Sequence, residues 1–87
     1  MSARLAHALL RTADALGRKA AFEGREVPAI GPIVTQADLG LMARGARGNV
    51  NRALKLWERE GWVSLRDRNI YILDRTRLEA LGLEDDL

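Results

Sequence analysis

The chain has no cysteine, a single histidine and no long apolar run among its 87 residues. The lack of cysteine excludes a disulfide framework and a thiolate metal site. No apolar stretch approaches the roughly 20 residues that cross a bilayer, so we expect no membrane partner. Nothing resembles a secretory signal. These absences favour a cytoplasmic protein.

The residues that most enzymes use are also scarce. The sequence offers no cysteine nucleophile, no histidine-based triad and no glycine loop that would cradle a phosphate. His7 has no nearby carboxylate or second ligand, and we expect it to be a surface or packing residue. We therefore expect no enzymatic activity, no metal and no cofactor in this chain.

Charge is unevenly distributed over a chain whose net charge is only +2. Between Arg44 and Lys55 there are four basic residues and no acidic one, whereas Glu84, Asp85 and Asp86 give an acidic end. A local basic segment on a nearly balanced background indicates one cationic face. The alternative is an ordinary solvated helix face. At this length the chain forms one small domain.

The periodicity of apolar residues divides the domain, residues 1–87, into five parts. It predicts a helix over 3–16 that stops at Gly17, short strands within 26–34, a helix-turn-helix over 35–60, a hairpin over 62–73 and a C-terminal helix over 75–81 capped by Asp74. In the hairpin, residues 66–69 are predicted to form a four-residue polar connection. This order predicts a winged helix-turn-helix, a mainly α fold with a small β-hairpin wing.

The segment 35–60 carries the most information. Thr35 resembles an N-cap, with Asp38 three residues later, and Gly45 is predicted to supply the turn through a positive φ angle. In the second helix, predicted over 47–60 and ended by Gly61, apolar and polar residues take opposite sides. The apolar side carries Val50, Ala53, Leu54 and Trp57, and the polar side carries Arg47, Gly48, Asn51, Arg52 and Lys55. Such a helix can place a row of donors in the major groove of DNA.

Three stretches of this sequence resemble the C-terminal DNA-binding domain of the Crp/Fnr transcription regulators. They are Thr-Gln-x-Asp-Leu-Gly from Thr35, Ala-Arg-Gly-Asn-Val-Asn-Arg-Ala-Leu-Lys-x-x-Glu from Ala46, and Gly-Trp-Val-Ser from Gly61. The predicted helix over 3–16 is similar to the helix that opens this domain in the family. The resemblance implies a bacterial regulator domain that binds double-stranded DNA sequence-specifically, with helix 47–60 in the major groove.

The resemblance and the polar side of the helix together assign expected DNA contacts. Arg47 and Arg52 take the positions that read bases in the family, and an arginine can donate two hydrogen bonds to guanine. We expect base contacts from Arg47, Asn51 and Arg52, and phosphate contacts from Thr35, Gln36, Lys55 and Arg68. At the wing, Arg66, Arg68 and Asn69 are either phosphate contacts or simply a polar hairpin loop.

The chain also departs from the family pattern at three positions. Many members carry glutamate where this chain has Gly48, a serine or threonine cap where it has Ala46, and a turn glycine where it has Arg44. Gly48, Ala46 and the acidic end of the chain favour an alternative function, a protein-interaction module on a winged-helix scaffold with weak or lost DNA readout.

Family members usually add an effector-sensing β-barrel and a long dimerisation helix, for which 87 residues leave no room. We expect an intact regulator to be a homodimer and the isolated domain to be mostly monomeric.

Overall fold

The computed structural model describes residues 2–31, 36–45, 47–66 and 68–83, which form four helices and four strands. In chain order these are α1 (Ser2–Leu16), β1 (Lys19–Phe22), β2 (Arg25–Ile30), α2 (Gln36–Ala43), α3 (Arg47–Arg59), β3 (Val63–Arg66), β4 (Asn69–Ile72) and α4 (Arg75–Gly82). The winged helix-turn-helix fold is confirmed: α2 and α3 form the helix pair, and β3 and β4 form the wing.

The core forms where α1 packs against α2, α4 and β2. Leu5 and Leu9, one turn apart on α1, are completely buried, as expected for the apolar side of an amphipathic helix. The buried apolar cluster takes residues from all four helices and from β2, β3 and β4: Leu5, Ala6, Leu9, Leu10, Ala13, Ile30, Leu39, Ala43, Val50, Leu54, Trp57, Val63, Ile70, Ile72 and Leu78. A single core therefore fixes the helix pair against the sheet.

The sheet contains four antiparallel strands in the order β1-β2-β4-β3. The predicted strand range of 26–34 was wrong at its start, because the first hairpin runs from Lys19 to Ile30 and turns at Glu23 and Gly24. Both turn residues have positive φ angles, 49° and 84°, as a two-residue hairpin turn requires. The strand β1 escaped prediction because only Phe22 among its four residues is buried, so it shows no clear alternation. Residues 32–34 lie outside the described part of the chain.

Three helices end in the left-handed backbone conformation. Gly17 (φ 62°) and Gly61 (φ 80°) end α1 and α3, as predicted. At the end of α2, Arg44 has a positive φ (57°), and the positive φ expected of Gly45 stays a prediction. The hydrogen bonds explain the conformation of Arg44: the N–H of Gly45 donates to the Gly40 carbonyl (2.8 Å), and that of Arg44 donates to the Leu41 carbonyl (3.3 Å). In this capping arrangement the left-handed position is the one before Gly45.

The last helix is fixed at its first residues. The Asp74 carboxylate accepts a hydrogen bond from the Arg77 N–H (3.1 Å), which confirms the predicted N-cap. Next to it, Arg75 donates two hydrogen bonds of 2.8 Å to the carboxylate of Asp14 on α1. This paired contact holds the pKa of Asp14 below its ordinary value and raises the pKa of Arg75. The ion pair thus ties α4 to α1.

Candidate nucleic-acid interface

The two helices of the helix-turn-helix approach each other closely at Gly40. A methyl group built on Gly40 would lie 2.7 Å from the Gly45 carbonyl oxygen and 3.5 Å from the Val50 side chain. Since real side chains almost never come so close to a backbone oxygen, only glycine fits here. The close contact fixes the position of α3 relative to α2.

Helix α3 buries one side and exposes the other. Val50, Leu54 and Trp57 are buried in the core, so Trp57 is a core residue as the sequence indicates. Trp62 is partly buried against the same core, and its backbone N–H donates to the Trp57 carbonyl (2.9 Å). With its apolar side anchored, α3 presents a fixed outer surface.

The exposed side of α3 is cationic along its length. Arg52, Lys55 and Arg59 are exposed and recur at intervals of three and four residues, which places them in one row. We call these three residues the basic stripe. Arg59 was missed by the sequence reasoning, although extending the same spacing by one turn from Lys55 finds it.

The only carboxylate of α3, that of Glu58, is bound to the backbone of the wing. Glu58 is half-buried and its Oε2 accepts a hydrogen bond from the Leu65 N–H in β3 (2.9 Å). This contact fastens α3 to the wing. The one carboxylate of α3 is therefore engaged and half-buried, whereas the three cations of the basic stripe are exposed.

The predicted base-contact residues all lie on α3, with different exposure. Arg47 is exposed at the first residue of the helix, Arg52 is exposed further along, and Asn51 is half-buried. The Arg52 guanidinium donates a hydrogen bond to the Oδ1 of Asn49, another exposed residue of the first turn. The structure therefore pairs Arg52 with a residue that sequence reasoning did not select.

The predicted phosphate-contact residues are distributed over α2, α3 and the wing. Lys55 is exposed within the basic stripe, and Arg68 is exposed between β3 and β4. Gln36 begins α2, but its side chain lies outside the described atoms, and Thr35 and Ala46 lie outside the described residues. The contacts assigned to these residues stay predictions.

The wing is tighter than the sequence indicated. Arg66 and Asn69 form the last residue pair of the β3–β4 ladder, so the predicted connection over 66–69 was wrong and only residues 67 and 68 separate the strands. Arg66 is also held by a neighbour in space, because its guanidinium lies 4.7 Å from the centre of the Phe22 ring. Phe22 in turn packs on Tyr71 at 5.2 Å between ring centres. Arg68, with a φ of 64°, is the exposed cation of the described wing turn.

A cavity of about 290 Å³ is lined by residues of α1 and α4. His7 lines it, as do Asp14, Arg75 and Glu79, which are joined in ion pairs. Among the described residues no group of three or more histidine, aspartate or glutamate side chains is placed to hold a metal ion. Nor does any described helix have the length and apolar character to span a bilayer.

The fold, the exposed cationic side of α3 and the attached wing together define a winged helix-turn-helix domain. The sequence profile of the Crp-like helix-turn-helix domain matches residues 3–81, which is nearly the whole chain. The chain therefore belongs to the family of Crp-like helix-turn-helix domains. No curated protein sequence matches it.

Solved structures of transcriptional regulators share this architecture. The CRP/FNR-family regulator TTHA1359 of Thermus thermophilus superposes with a TM-score of 0.77 at 23% identity over 97% of this chain and 41% of its own. A Crp/Fnr-family regulator of Eubacterium rectale gives 0.78 at 25% identity over 97% of this chain and 34% of its own. TTHB099, a CRP-family regulator that is also from Thermus thermophilus, gives 0.76 at 27% identity over 93% and 39%. The chain thus spans about two fifths or less of the length of these regulators.

Proposed function

We propose that this domain binds double-stranded DNA sequence-specifically, with α3 in the major groove, as the output domain of a bacterial Crp/Fnr-like transcription regulator. In this proposal Arg47, Asn51 and Arg52 contact base edges. The phosphate contacts come from Thr35, from Gln36 at the start of α2, from Lys55 and Arg59 on α3 and from Arg68 on the wing.

The observation that carries the proposal is the charge arrangement on α3. Its exposed side bears the basic stripe, while its one carboxylate is bound to the backbone of β3. A phosphate backbone requires such a surface, because each phosphate contact replaces condensed counterions by a fixed cation. Base edges in the major groove offer acceptors that suit arginine and asparagine.

The position of α3 supports the same function. A recognition helix contacts the correct bases only if its orientation is fixed relative to the residues that bind the phosphates. Here the contact at Gly40 fixes α3 to α2, and the hydrogen bond of Glu58 fixes α3 to the wing strand. Helix α3 is therefore held by α2, which precedes it in the sequence, and by the wing strand β3, which follows it.

The salt dependence of duplex binding tests this function. For a protein that contacts several phosphates, the affinity falls steeply with salt, and loss of one contact reduces the slope of log K against log salt by about 1. We expect Lys55→Ala to show that reduction and to weaken binding to all duplexes alike. Fluorescence anisotropy at several salt concentrations measures both effects.

A matched control removes the same charge elsewhere. Arg77 is exposed on α4, outside the helix-turn-helix, so Arg77→Ala changes the net charge as Lys55→Ala does. The proposal requires that Arg77→Ala leave the salt slope close to that of the wild type. Equal slopes for the two variants would refute a specific phosphate contact at Lys55.

We further propose that an intact regulator carrying this domain acts as a two-fold dimer on a palindrome, with half-sites about 34 Å apart. The 87-residue chain by itself is then mostly monomeric and binds one half-site weakly. Its shorter length relative to the similar regulators is consistent with this view, since they have additional chain in which a dimerisation element can lie.

A second candidate function is a protein-interaction module. It is favoured by large apolar side chains exposed on the helix pair: Leu41 is 81% exposed on α2, and Leu56 is 49% exposed on α3. An interface built on such residues depends little on salt, in contrast to a phosphate interface. The salt series therefore discriminates between the two functions.

A further inference from the structure

Asn49 and Arg52 form a pair on the exposed side of α3. They are three residues apart, which brings them together on one side of the helix, and the Arg52 guanidinium donates a hydrogen bond to the Asn49 Oδ1. Both residues are exposed, so the pair is open to the solvent on the side where the proposed function places DNA. The pair acts as one unit because each residue restricts the orientation of the other.

The hydrogen bond determines which groups the pair still offers. A guanidinium has five N–H donors, and only one terminal nitrogen is engaged with Asn49. The remaining donors suffice for the two hydrogen bonds that arginine makes to guanine O6 and N7. In Asn49 the Oδ1 accepts this bond through one of its two lone pairs, and the two N–H donors of its amide nitrogen are available.

This engagement alters the base that Asn49 favours. An unengaged asparagine pairs with adenine by accepting from N6 and donating to N7. Because the Asn49 Oδ1 is directed at Arg52, Asn49 presents its amide donors to other partners, and these suit a base with an acceptor at its major-groove edge, namely guanine O6 or N7, or thymine O4. Both residues of the Asn49–Arg52 pair therefore offer hydrogen-bond donors to the DNA.

The neighbouring Gly48 leaves this pair accessible. A methyl group built on Gly48 would meet no atom within 4 Å, so packing does not require glycine at this position. Gly48 is also four residues before Arg52, the spacing at which a side chain would compete with Asn49 for the guanidinium. Because Gly48 has no side chain, Asn49 is the partner of Arg52.

We propose that Asn49 is a specificity-determining residue, which orients Arg52 towards a guanine and donates through its own amide to an acceptor on an adjacent base pair. The inference rests on the proposed function, since it specifies how α3 reads its site. It adds a reading residue to Arg47, Asn51 and Arg52, and it predicts two neighbouring positions with major-groove acceptors.

The test compares base preferences at single positions. A duplex enriched from a randomised pool by the wild-type chain is substituted one base pair at a time, and its affinities are measured for wild type, Asn49→Ala and Arg52→Ala. We expect Arg52→Ala to lose the preference for guanine at one base pair. Asn49→Ala loses about tenfold discrimination at the adjacent base pair and also weakens the guanine preference, because Arg52 is no longer held.

A second variant separates reading from positioning. Asn49→Asp keeps an oxygen for Arg52 but replaces the amide donors by acceptors, which suit the N4 donor of cytosine. We expect the preference at the adjacent base pair to move towards cytosine, with the midpoint of thermal unfolding close to that of the wild type. If Asn49 only stabilised α3, both variants would keep the base preference of the wild type, and that result would overturn the inference.

The failure of the inference is distinguishable from failure of the proposed function. If the wild type discriminates among duplexes and both Asn49 variants keep its preferences, the domain reads DNA and Asn49 is not a reading residue. If the wild type binds every duplex equally, or none, the proposed function fails and the inference falls with it.

Discussion

Replacement of Gly40 by alanine tests whether the contact between α2 and α3 is as close as the structure shows. The added methyl group would lie 2.7 Å from the Gly45 carbonyl oxygen and 3.7 Å from the Arg47 nitrogen. Both are backbone atoms, so neither can rotate away as a flexible side chain can. The hydrogen bond from the Gly45 N–H to the Gly40 carbonyl (2.8 Å) resists separation of the two segments. The substitution must therefore shift the backbone.

The expected loss of stability is the difference of two effects. Overpacking in a tight contact costs about 1–3 kcal/mol. Alanine in a helix regains up to about 1 kcal/mol relative to glycine. We expect a net loss of about 1–2 kcal/mol, which lowers the midpoint of thermal unfolding by roughly 4–16 °C in a domain of this size.

Gly48→Ala is the matched control, because it has the same chemistry without the obstruction. A methyl group at Gly48 meets nothing within 4 Å, so this variant gains up to about 1 kcal/mol from helix propensity. Thermal unfolding followed by circular dichroism ranks the three proteins. The reasoning predicts the order Gly48→Ala, wild type, Gly40→Ala from most to least stable. A Gly40→Ala variant as stable as Gly48→Ala would refute the close contact.

Three further predictions concern the turn, the ion pair and the oligomeric state. Arg44→Gly removes the strain of a left-handed residue and raises the free energy of unfolding by about 0.5–1 kcal/mol. The control Arg44→Ala removes the charge but keeps a side chain at this position, so it gives no such gain. Equal midpoints of urea unfolding for the two variants would contradict this prediction. Because the folded pKa of Asp14 is depressed, its ion pair with Arg75 stabilises the fold above the ordinary carboxyl pKa and is lost as pH falls below about 4. Thermal unfolding of Asp14→Asn should therefore depend less on pH in that range than the wild type, and parallel pH profiles would count against the ion pair. Analytical ultracentrifugation should find the 87-residue chain mostly monomeric, and a tight dimer would disprove that expectation.

Sequence patterns predicted the elements whose signals are local. The side of α3 that carries Val50, Leu54 and Trp57 is buried as its spacing indicates, and Gly61 and Asp74 end and begin helices where their chemistry suggests. Such signals arise within one or two helical turns, so the order of residues is sufficient to identify them.

The features that escaped prediction depend on contacts formed only after folding. The hydrogen bonds at the end of α2 place a left-handed residue at Arg44, a conformation that the residue type of Arg44 does not indicate. Arg66 lies over Phe22, which is distant in sequence, so no local pattern reveals that the wing arginine has a partner. The assigned DNA contacts belong to a third category, because a free domain shows which side chains are exposed and not what they bind.

The proposed function requires that α3 read double-stranded DNA. The most direct measurement is enrichment from a randomised duplex pool at low salt, by wild type, by Arg47→Ala/Arg52→Ala and by the control Arg11→Ala/Arg77→Ala, which removes two exposed arginines from α1 and α4. We expect one enriched sequence for wild type and control, and loss of that enrichment for Arg47→Ala/Arg52→Ala. An unchanged enriched sequence in the α3 variant, or no duplex binding by the wild type, would contradict it.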